Sequence, residues 1–175
     1  FPKRWRNPIG IAGAIIVLAT VLIAIFAPVI APYDPSSQGS IRLLGPSREH
    51  LMGTDELGRD TFSRIVYGSR GSLQVGILAV AISLIIGGIM GLLAGYFGRW
   101  VDTWTMRLVD IMFAFPGIVL AIVISGLLGP SRRNAMIAIG IIYAPAFARV
   151  VRGSVLAVKG EVYMEAARVL GASNM

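Results

Sequence analysis

The segment SLQVGILAVAISLIIGGIMGLLAG, residues 72–95, contains 24 residues and no charged side chain. A helix of about 20 predominantly apolar residues is long enough to cross the hydrocarbon layer of a bilayer. Gly87, Gly91 and Gly95 recur at every fourth position, so a helix places all three on one face. Glycines at this spacing let another helix approach closely, and we predict a transmembrane helix with a packing face. Membrane helices are also rich in glycine generally, which is the alternative explanation of the pattern.

The composition indicates that a bilayer surrounds the rest of the chain as well. Of the 175 residues, 55% are hydrophobic and 14% are charged, whereas a soluble domain carries about 25% charged residues. A domain of this length cannot bury so much apolar surface in a core of its own. The sequence contains no cysteine, which excludes disulfides and thiolate chemistry within it. His50, the single histidine, has no cluster of ligands around it, so we expect a solvated loop residue and neither a metal site nor a bound cofactor.

Three further apolar runs predict membrane spans, which brings the total to four. Residues 9–31 form the first span, with 23 residues and no charge. Residues 134–155 form the last, in which only the 14 residues 135–148 form an uncharged run. This run reaches spanning length only if Arg149 and Arg152 lie at the interface, where their side chains extend to water or are paired. A half-exposed surface helix is the alternative.

The third predicted span, residues 105–128, carries charge. Arg107 and Asp110 lie in its first turns at a spacing of i,i+3, and we expect them to pair with each other. Pro116 should kink this helix or break its hydrogen-bond ladder. A charged pair within a membrane helix is either a functional site or a structural pair near the interface, and its place near the inner end favours the structural interpretation.

The basic residues suggest lipid contact and an orientation. The net charge is +7, but the cations flank apolar runs without interleaved aromatic side chains, which is typical of contact with lipid headgroups and not with nucleic acid. Lys3, Arg4 and Arg6 precede the first span and indicate a cytoplasmic amino terminus. Four spans then leave nine cations inside and seven outside, which favours this orientation weakly. We divide the chain into residues 1–71, with the tail, first span and external loop, and residues 72–175, the main transmembrane domain.

The external loop, residues 32–71, is polar and rich in turn-forming residues. Asp55 and Arg59 are spaced i,i+4, as are Asp60 and Arg64. Such pairs support a helix. We therefore predict a short amphipathic segment that lies near the outer surface and leads into the second span.

The chain ends in GEVYMEAARVLGASNM, residues 160–175, which is too polar to span a membrane. Ala166 and Ala167 favour a helix with a small-residue face, and Gly171 can adopt a positive φ and end it. Such a helix suits docking into a groove of another protein. The spacing is equally compatible with an amphipathic helix that rests on lipid.

Glu165, Ala166 and Ala167, with Gly171 four residues later, resemble the EAA loop of the membrane subunits of binding-protein-dependent ABC importers. Three longer blocks narrow the resemblance to the C-type permease subunit of the oligopeptide, dipeptide and nickel group: GTDELGRDTFSRIVYGSRGSL at 53–73, GYFGRWVDTWTMRLVDIMFAFP at 95–116 and ARVVRGSVLAVKGEVYMEAARVLGAS at 148–173. The resemblance implies an all-α, polytopic transmembrane helix bundle of the ABC importer type. It also implies a truncated chain, with four of six spans, because members of this family continue past the EAA loop.

The same resemblance implies a permease subunit for peptides in the bacterial plasma (inner) membrane, with nickel or another small solute as the alternative cargo. Its partners would be a second permease subunit, two ATPase subunits that bind and hydrolyse ATP, and a solute-binding protein. The EAA loop, about residues 159–175, would couple ATP hydrolysis to transport in the cytoplasm through Glu165, Ala166, Ala167 and Gly171. Externally, Asp55, Arg59 and Asp60 would contact the binding protein, or their loop would plug the mouth of the bundle.

A different class of function uses the charges in the third span. In an ion-coupled carrier or an integral-membrane enzyme, Arg107 and Asp110 would relay protons or serve as counter-ions of a substrate. The sequence contains no Gly-x-x-x-x-Gly-Lys-Ser/Thr phosphate loop, so ATP would act on another chain.

Overall fold

The computed structural model describes residues 8–39 and 41–171, and its regular structure there is helical, which confirms the all-α prediction. Lys3, Arg4 and Arg6, and residues 172–175 of the predicted EAA loop, lie outside the described residues. Within these described residues, seven helices follow one another: α1 (Pro8–Ile25), α2 (Ala27–Ile30), α3 (Thr61–Phe97), α4 (Arg99–Ala114), α5 (Gly117–Leu128), α6 (Arg132–Lys159) and α7 (Val162–Val169).

In the part of the chain that the structure describes, three helices, α1, α3 and α6, are long and apolar enough to cross a membrane. Helices α4 and α5 meet the same criterion only as a pair, which is bent by 97° at the break between them. The break confirms the prediction for Pro116, which has no N–H group to continue the hydrogen-bond ladder of α4. Phe115 before it is extended, with φ −94° and ψ 138°, as the residue before a proline generally is.

Helix α3 joins the second predicted span to part of the predicted amphipathic segment in one helix of 37 residues. The helical prediction for residues 53–60 is wrong. Gly53 and Gly58 have φ values of +72° and +74°, which a right-handed helix cannot contain. Asp60 then marks the start of α3, because its carboxylate accepts a 2.7 Å hydrogen bond from the backbone N–H of Ser63.

The chain divides within α3 into two compact units, residues 1–75 and 76–175. The first unit contains α1, α2, the loop between α2 and α3, and the first turns of α3. Arg70 ties the end of α1 to these turns, since its Nε donates to the carbonyl oxygen of Ala24 at 2.6 Å and its Nη2 to that of Ile25 at 3.3 Å. These carbonyls have no partner within a helix that ends here, and the guanidinium supplies one.

In the second unit, α3 and α6 touch along the glycine face of α3. A Cβ added to Gly87 would lie 2.1 Å from the carbonyl oxygen of Ala144, and one added to Gly91 would lie 2.4 Å from that of Ala148. A Cβ added to Gly95 would lie 2.7 Å from the Cβ of Val155 and 3.2 Å from the carbonyl oxygen of Arg152. The backbones therefore approach more closely than any side chain at these positions of α3 would allow.

Helices α3 and α6 run parallel in a constant register. The residues in contact are Ser83 with Gly140, Gly87 with Ala144, Gly91 with Ala148 and Gly95 with Arg152. In every pair the α6 residue comes 57 positions after the α3 residue, so both helices point in the same direction. Lys159 completes the contact at their carboxyl ends, because its Nζ donates to the carbonyl oxygen of Tyr96 at 2.8 Å.

Helices α4 and α5 lead the chain back to the amino end of α6. Their contacts with α6 are, in chain order, Asp102 with Arg152, Asp110 with Arg149, Gly117 with Ile142 and Leu128 with Asn134. Asp102 and Asp110 are eight residues apart on α4, but their partners on α6 are only three residues apart. Helix α4 therefore crosses α6 steeply, whereas α5 runs antiparallel to α6. Because α3 and α6 point the same way, the bent pair must cross the same layer once, as a broken span, which agrees with the four predicted spans. Residues 99–104, which precede the third predicted span, are the first turns of α4.

The close contact predicts opposite effects of one methyl group at two neighbouring glycines. Gly87→Ala should destabilise the second unit, by about 1–3 kcal/mol, because the added Cβ overlaps the backbone of α6. Gly88→Ala is the matched control, since its Cβ meets nothing within 4 Å, and alanine favours a helix by about 1 kcal/mol over glycine. Thermal unfolding in detergent should show a lower Tm for Gly87→Ala and an equal or higher one for Gly88→Ala. Equal Tm values for both variants would contradict the packing described above.

Candidate functional site

Helix α7 (Val162–Val169) follows α6 after a short break at Gly160 and Glu161. It contains the predicted coupling residues Glu165 and Ala166, both exposed, and Ala167, which is half-buried. Gly171 follows with φ +84°, in the left-handed region predicted for a helix-ending glycine.

The surface of α7 carries exposed apolar side chains at both of its ends. Their exposed fractions are 78% for Val162, 60% for Tyr163, 87% for Val169 and 87% for Leu170. Apolar side chains around a small-residue centre suit contact with another apolar surface, either a protein groove or lipid.

An ion pair joins α4 to α6 near the end from which α7 continues. Asp102 accepts two hydrogen bonds from the guanidinium of Arg152, and the Nη2–Oδ2 distance is 2.6 Å. Both side chains are partly buried, with 21% and 32% exposure. Bidentate contacts of this kind fix relative orientation as well as distance, so the pair holds α4 at a defined angle across α6.

The predicted pairing of Arg107 with Asp110 is wrong. Asp110 instead accepts a 2.6 Å hydrogen bond from Nη2 of Arg149 on α6, and Arg107 lies over the ring of Trp104 at 6.0 Å. The tertiary structure explains this difference. Because α4 crosses α6 steeply, the guanidinium of Arg149 on α6 reaches the carboxylate of Asp110, which the sequence spacing assigns to Arg107 on the same helix. Arg149 and Arg152 are therefore both paired with carboxylates of α4. For the last span we predicted either such pairing or side chains that extend to water.

A cavity of about 460 Å³ lies at the bend between α4 and α5, with α6 as its third wall. This volume falls within the range of small-molecule pockets, about 300–1,000 Å³. Its lining is mainly apolar and includes Phe113, Phe115, Ile118, Leu120, Ile142 and Tyr143. The guanidinium of Arg149 is 4.3 Å from the ring centre of Phe113. The Asp110–Arg149 pair does not itself line the cavity but adjoins its wall at this ring, and we call the pair the charged rim.

In the first unit, Asp55 organises the turn that precedes α3. Its Oδ1 accepts hydrogen bonds from the backbone N–H groups of Leu57 and Arg59, both at 2.9 Å. Its Oδ2 contacts the guanidinium groups of Arg59, at 2.8 Å, and of Arg64. Burial raises the pKa of Asp55, but these hydrogen bonds and the charge of Arg59 outweigh it and lower the pKa to about 2. Arg64 therefore pairs with Asp55, not with Asp60 as its spacing suggests.

Asp60 is buried and is bound to His50, whose Nδ1 lies 2.9 Å from Oδ1 of the carboxylate. The His50 ring also contacts the ring of Tyr33, with 5.0 Å between the centroids. The prediction that His50 is a solvated loop residue is therefore wrong. Burial raises the pKa of Asp60, but the hydrogen bonds from Ser63 and the contact with His50 together have the larger, opposite effect. The pKa of Asp60 is therefore below its usual value.

The structure thus separates the predicted site residues into three places. Glu165, Ala166, Ala167 and Gly171 lie in and after α7, the three packing glycines lie on α3, and Asp55, Arg59 and Asp60 lie in the loop before α3. Among residues 8–39 and 41–171, no group of three or more histidines and carboxylates could hold a metal ion. Sequence reasoning missed the link between Asp102 and Arg152, which are 50 residues apart, and no local pattern signals it.

Comparison with protein families places these features in a known context. Residues 83–175 match the family described as "binding-protein-dependent transport system inner membrane component". Residues 5–46 match the "N-terminal TM domain of oligopeptide transport permease C". The first match covers more than half of the chain and includes α6, α7 and both α4–α6 ion pairs.

Individual proteins with similar sequences are named as permease proteins of transport systems. The chain is 49% identical to the dipeptide transport system permease protein DppC of Alkalihalophilus pseudofirmus, over 99% of this chain and 58% of that protein. It is 43% identical to the glutathione transport system permease protein GsiD of Pectobacterium atrosepticum, over 99% of this chain and 59% of that protein. The probable D,D-dipeptide transport system permease protein DdpC of Escherichia coli is 42% identical, over 96% and 57%. The chain therefore spans somewhat less than three fifths of the length of these relatives.

The contacts of Asp55 predict a pH-dependent loop. The pKa is lowered from 3.8 to about 2 in the folded loop, so ionisation stabilises the loop at neutral pH, and this contribution is lost as the pH falls from about 4 through 2. At pH 7, Asp55→Asn should accelerate hydrogen exchange at the amides of Leu57 and Arg59. Glu56→Gln is the control, because it removes the same charge from an exposed neighbour. Equal exchange in both variants would show that the carboxylate does not hold the turn.

Proposed function

The chain belongs to the family of binding-protein-dependent transport system inner membrane components, and we propose that it is part of a permease subunit of an ATP-driven importer of di- and oligopeptides. The observation that carries this proposal is the family match over α6 and α7, together with relatives whose names specify dipeptide and glutathione transport. The alternative cargo is nickel or another small solute, which the same bundle architecture would accommodate.

In this proposal α7 couples the chain to an ATPase. Its exposed apolar ends and small centre are suited to insertion into a groove of an ATPase subunit, and Glu165, Ala166 and Ala167 would form the contact. ATP would be bound and hydrolysed by that partner, and the energy would reach this chain as a displacement of α7. The complete assembly would contain a second permease subunit, two ATPase subunits and a solute-binding protein.

We further propose that the carboxyl ends of α3 and α6 lie in the cytoplasm of a bacterial cell, with the amino terminus on the same side, and that the chain spans the plasma (inner) membrane. Arg99, Lys159 and the start of α7 lie at these ends, and cations prefer the cytoplasmic side of membrane proteins. The loop before α3 would then face outward, where Asp55, Arg59 and Asp60 would present a folded surface to the solute-binding protein.

An ion-coupled carrier that uses Arg107 and Asp110 receives less support. These residues do not form a pair, because Asp110 is bound to Arg149 and Arg107 lies over Trp104. A proton relay through both would first need this arrangement to change.

The proposed function is tested by uptake of dialanine into proteoliposomes that contain the full-length permease with its partner permease, with or without the ATPase subunits and the solute-binding protein. We expect uptake only when all of these subunits and ATP are present. Uptake by the permease alone would contradict an ATP-driven importer. ATP-dependent uptake of nickel but not of dialanine would show that the cargo is nickel and not a peptide.

The left-handed conformation of Gly171 generates a second prediction. A side chain at φ +84° costs about 1–2 kcal/mol, so Gly171→Ala, and more strongly Gly171→Val, should shift the end of α7 and reduce the peptide transported per ATP hydrolysed. Gly160→Ala is the matched control, because Gly160 has φ −86° and room for a Cβ. Unchanged coupling in Gly171→Val would show that this turn does not transmit the displacement.

A further inference from the structure

The Asp110–Arg149 pair lies level with an uncharged part of the neighbouring helix α3. In the register of α3 and α6, Arg149 is level with Leu92, and residues 71–97 of α3 contain no charge. Leu92 lies five residues before the end of α3, about 7.5 Å along a helix. On α6, the uncharged run 135–148 covers only about 21 Å, which is less than the hydrocarbon thickness of about 30 Å.

The pair is also accessible on the surface of the second unit. The side chain of Arg149 is 52% exposed and that of Asp110 is 64% exposed. Charged groups in contact with acyl chains at this depth are costly, and such residues generally face protein or a water-filled cavity. The exposed side of the pair therefore requires a polar neighbour.

The cavity at the α4–α5 bend supplies the second observation. Phe113 contributes to its wall and also packs against the guanidinium of Arg149 at 4.3 Å. Ala146, one turn before Arg149, is a further lining residue. An apolar cavity thus adjoins one positive and one negative group, which suits a solute that carries both charges together with apolar side chains.

We infer that this cavity and its Asp110–Arg149 rim line the solute pathway, and that the pair binds the two termini of a zwitterionic peptide during its passage. The peptide ammonium group would bind the Asp110 carboxylate, and the peptide carboxylate would bind the Arg149 guanidinium. One ion pair would be exchanged for two, without any net change of charge in the apolar layer. This inference rests on the proposed function and adds the pathway-lining residues to it.

Cysteine accessibility tests the inference in the full-length, fully assembled transporter, starting from a cysteine-free permease. Ala121→Cys lies in the cavity wall, and Val123→Cys, two residues later, lies on the other side of α5 as a control. A thiol reacts as the thiolate, which forms in water and not in lipid, so a charged, water-soluble thiosulfonate should label Ala121→Cys at least about tenfold faster. Saturating dialanine should slow that labelling.

The charged rim is tested in the same preparation. Asp110→Asn should abolish the protection of Ala121→Cys by dialanine and reduce dialanine uptake, while Asp110→Glu should restore both. If wild-type transporter takes up dialanine but the two cysteines react equally, or dialanine leaves the labelling of Ala121→Cys unchanged, the inference is overturned while the proposed function stands. If wild-type transporter takes up no peptide, the proposed function itself fails.

Discussion

The close contact between α3 and α6 determines the arrangement of the second unit. Glycines on α3 let the two backbones meet, and the contact keeps one register from Ser83 to Gly95, just over three helical turns. Because the helices are parallel, the chain between them must return across the same layer, and α4 and α5 do so as one span broken at Pro116. The carboxyl ends of α3 and α6 therefore lie at the same end of the unit, where Lys159 joins them and from which α7 continues.

The charges of α4 follow from this arrangement. A helix that crosses α6 steeply shares a shorter contact with it than a parallel neighbour does, and two carboxylates on α4 meet two arginines on α6 within that contact. The Asp102–Arg152 pair fixes the crossing angle near the end that carries α7. The Asp110–Arg149 pair lies deeper, beside the cavity at the bend. A displacement of α7 would thus act on α6 directly and on the cavity through these pairs.

Much of this fold is predictable from the sequence, since hydrophobic runs, glycine spacing and Pro116 are local signals. The positions of the spans, the break in the third and the left-handed Gly171 follow from such signals. The pairing of charges does not follow from them, because the tertiary structure determines which charged side chains lie close together. Spacing favours Asp110 with Arg107 and Asp60 with Arg64, whereas the fold brings Arg149 to Asp110 and His50 to Asp60. The first residue of α3 is not predictable from the charge spacing either, because Gly53 and Gly58 have positive φ values that a helix cannot contain.

The parallel register of α3 and α6 is tested most directly by cysteine pairs oxidised in the native membrane. A Cβ on Gly140 would lie 2.7 Å from that of Ile82, and one on Gly95 would lie 2.7 Å from that of Val155, so small adjustments reach the separation of about 3.5–4.5 Å in disulfides. We predict cross-links for Ile82→Cys with Gly140→Cys and for Gly95→Cys with Val155→Cys, and none for Ile82→Cys with Val155→Cys. A cross-link in the last pair, without cross-links in the first two, would contradict the account.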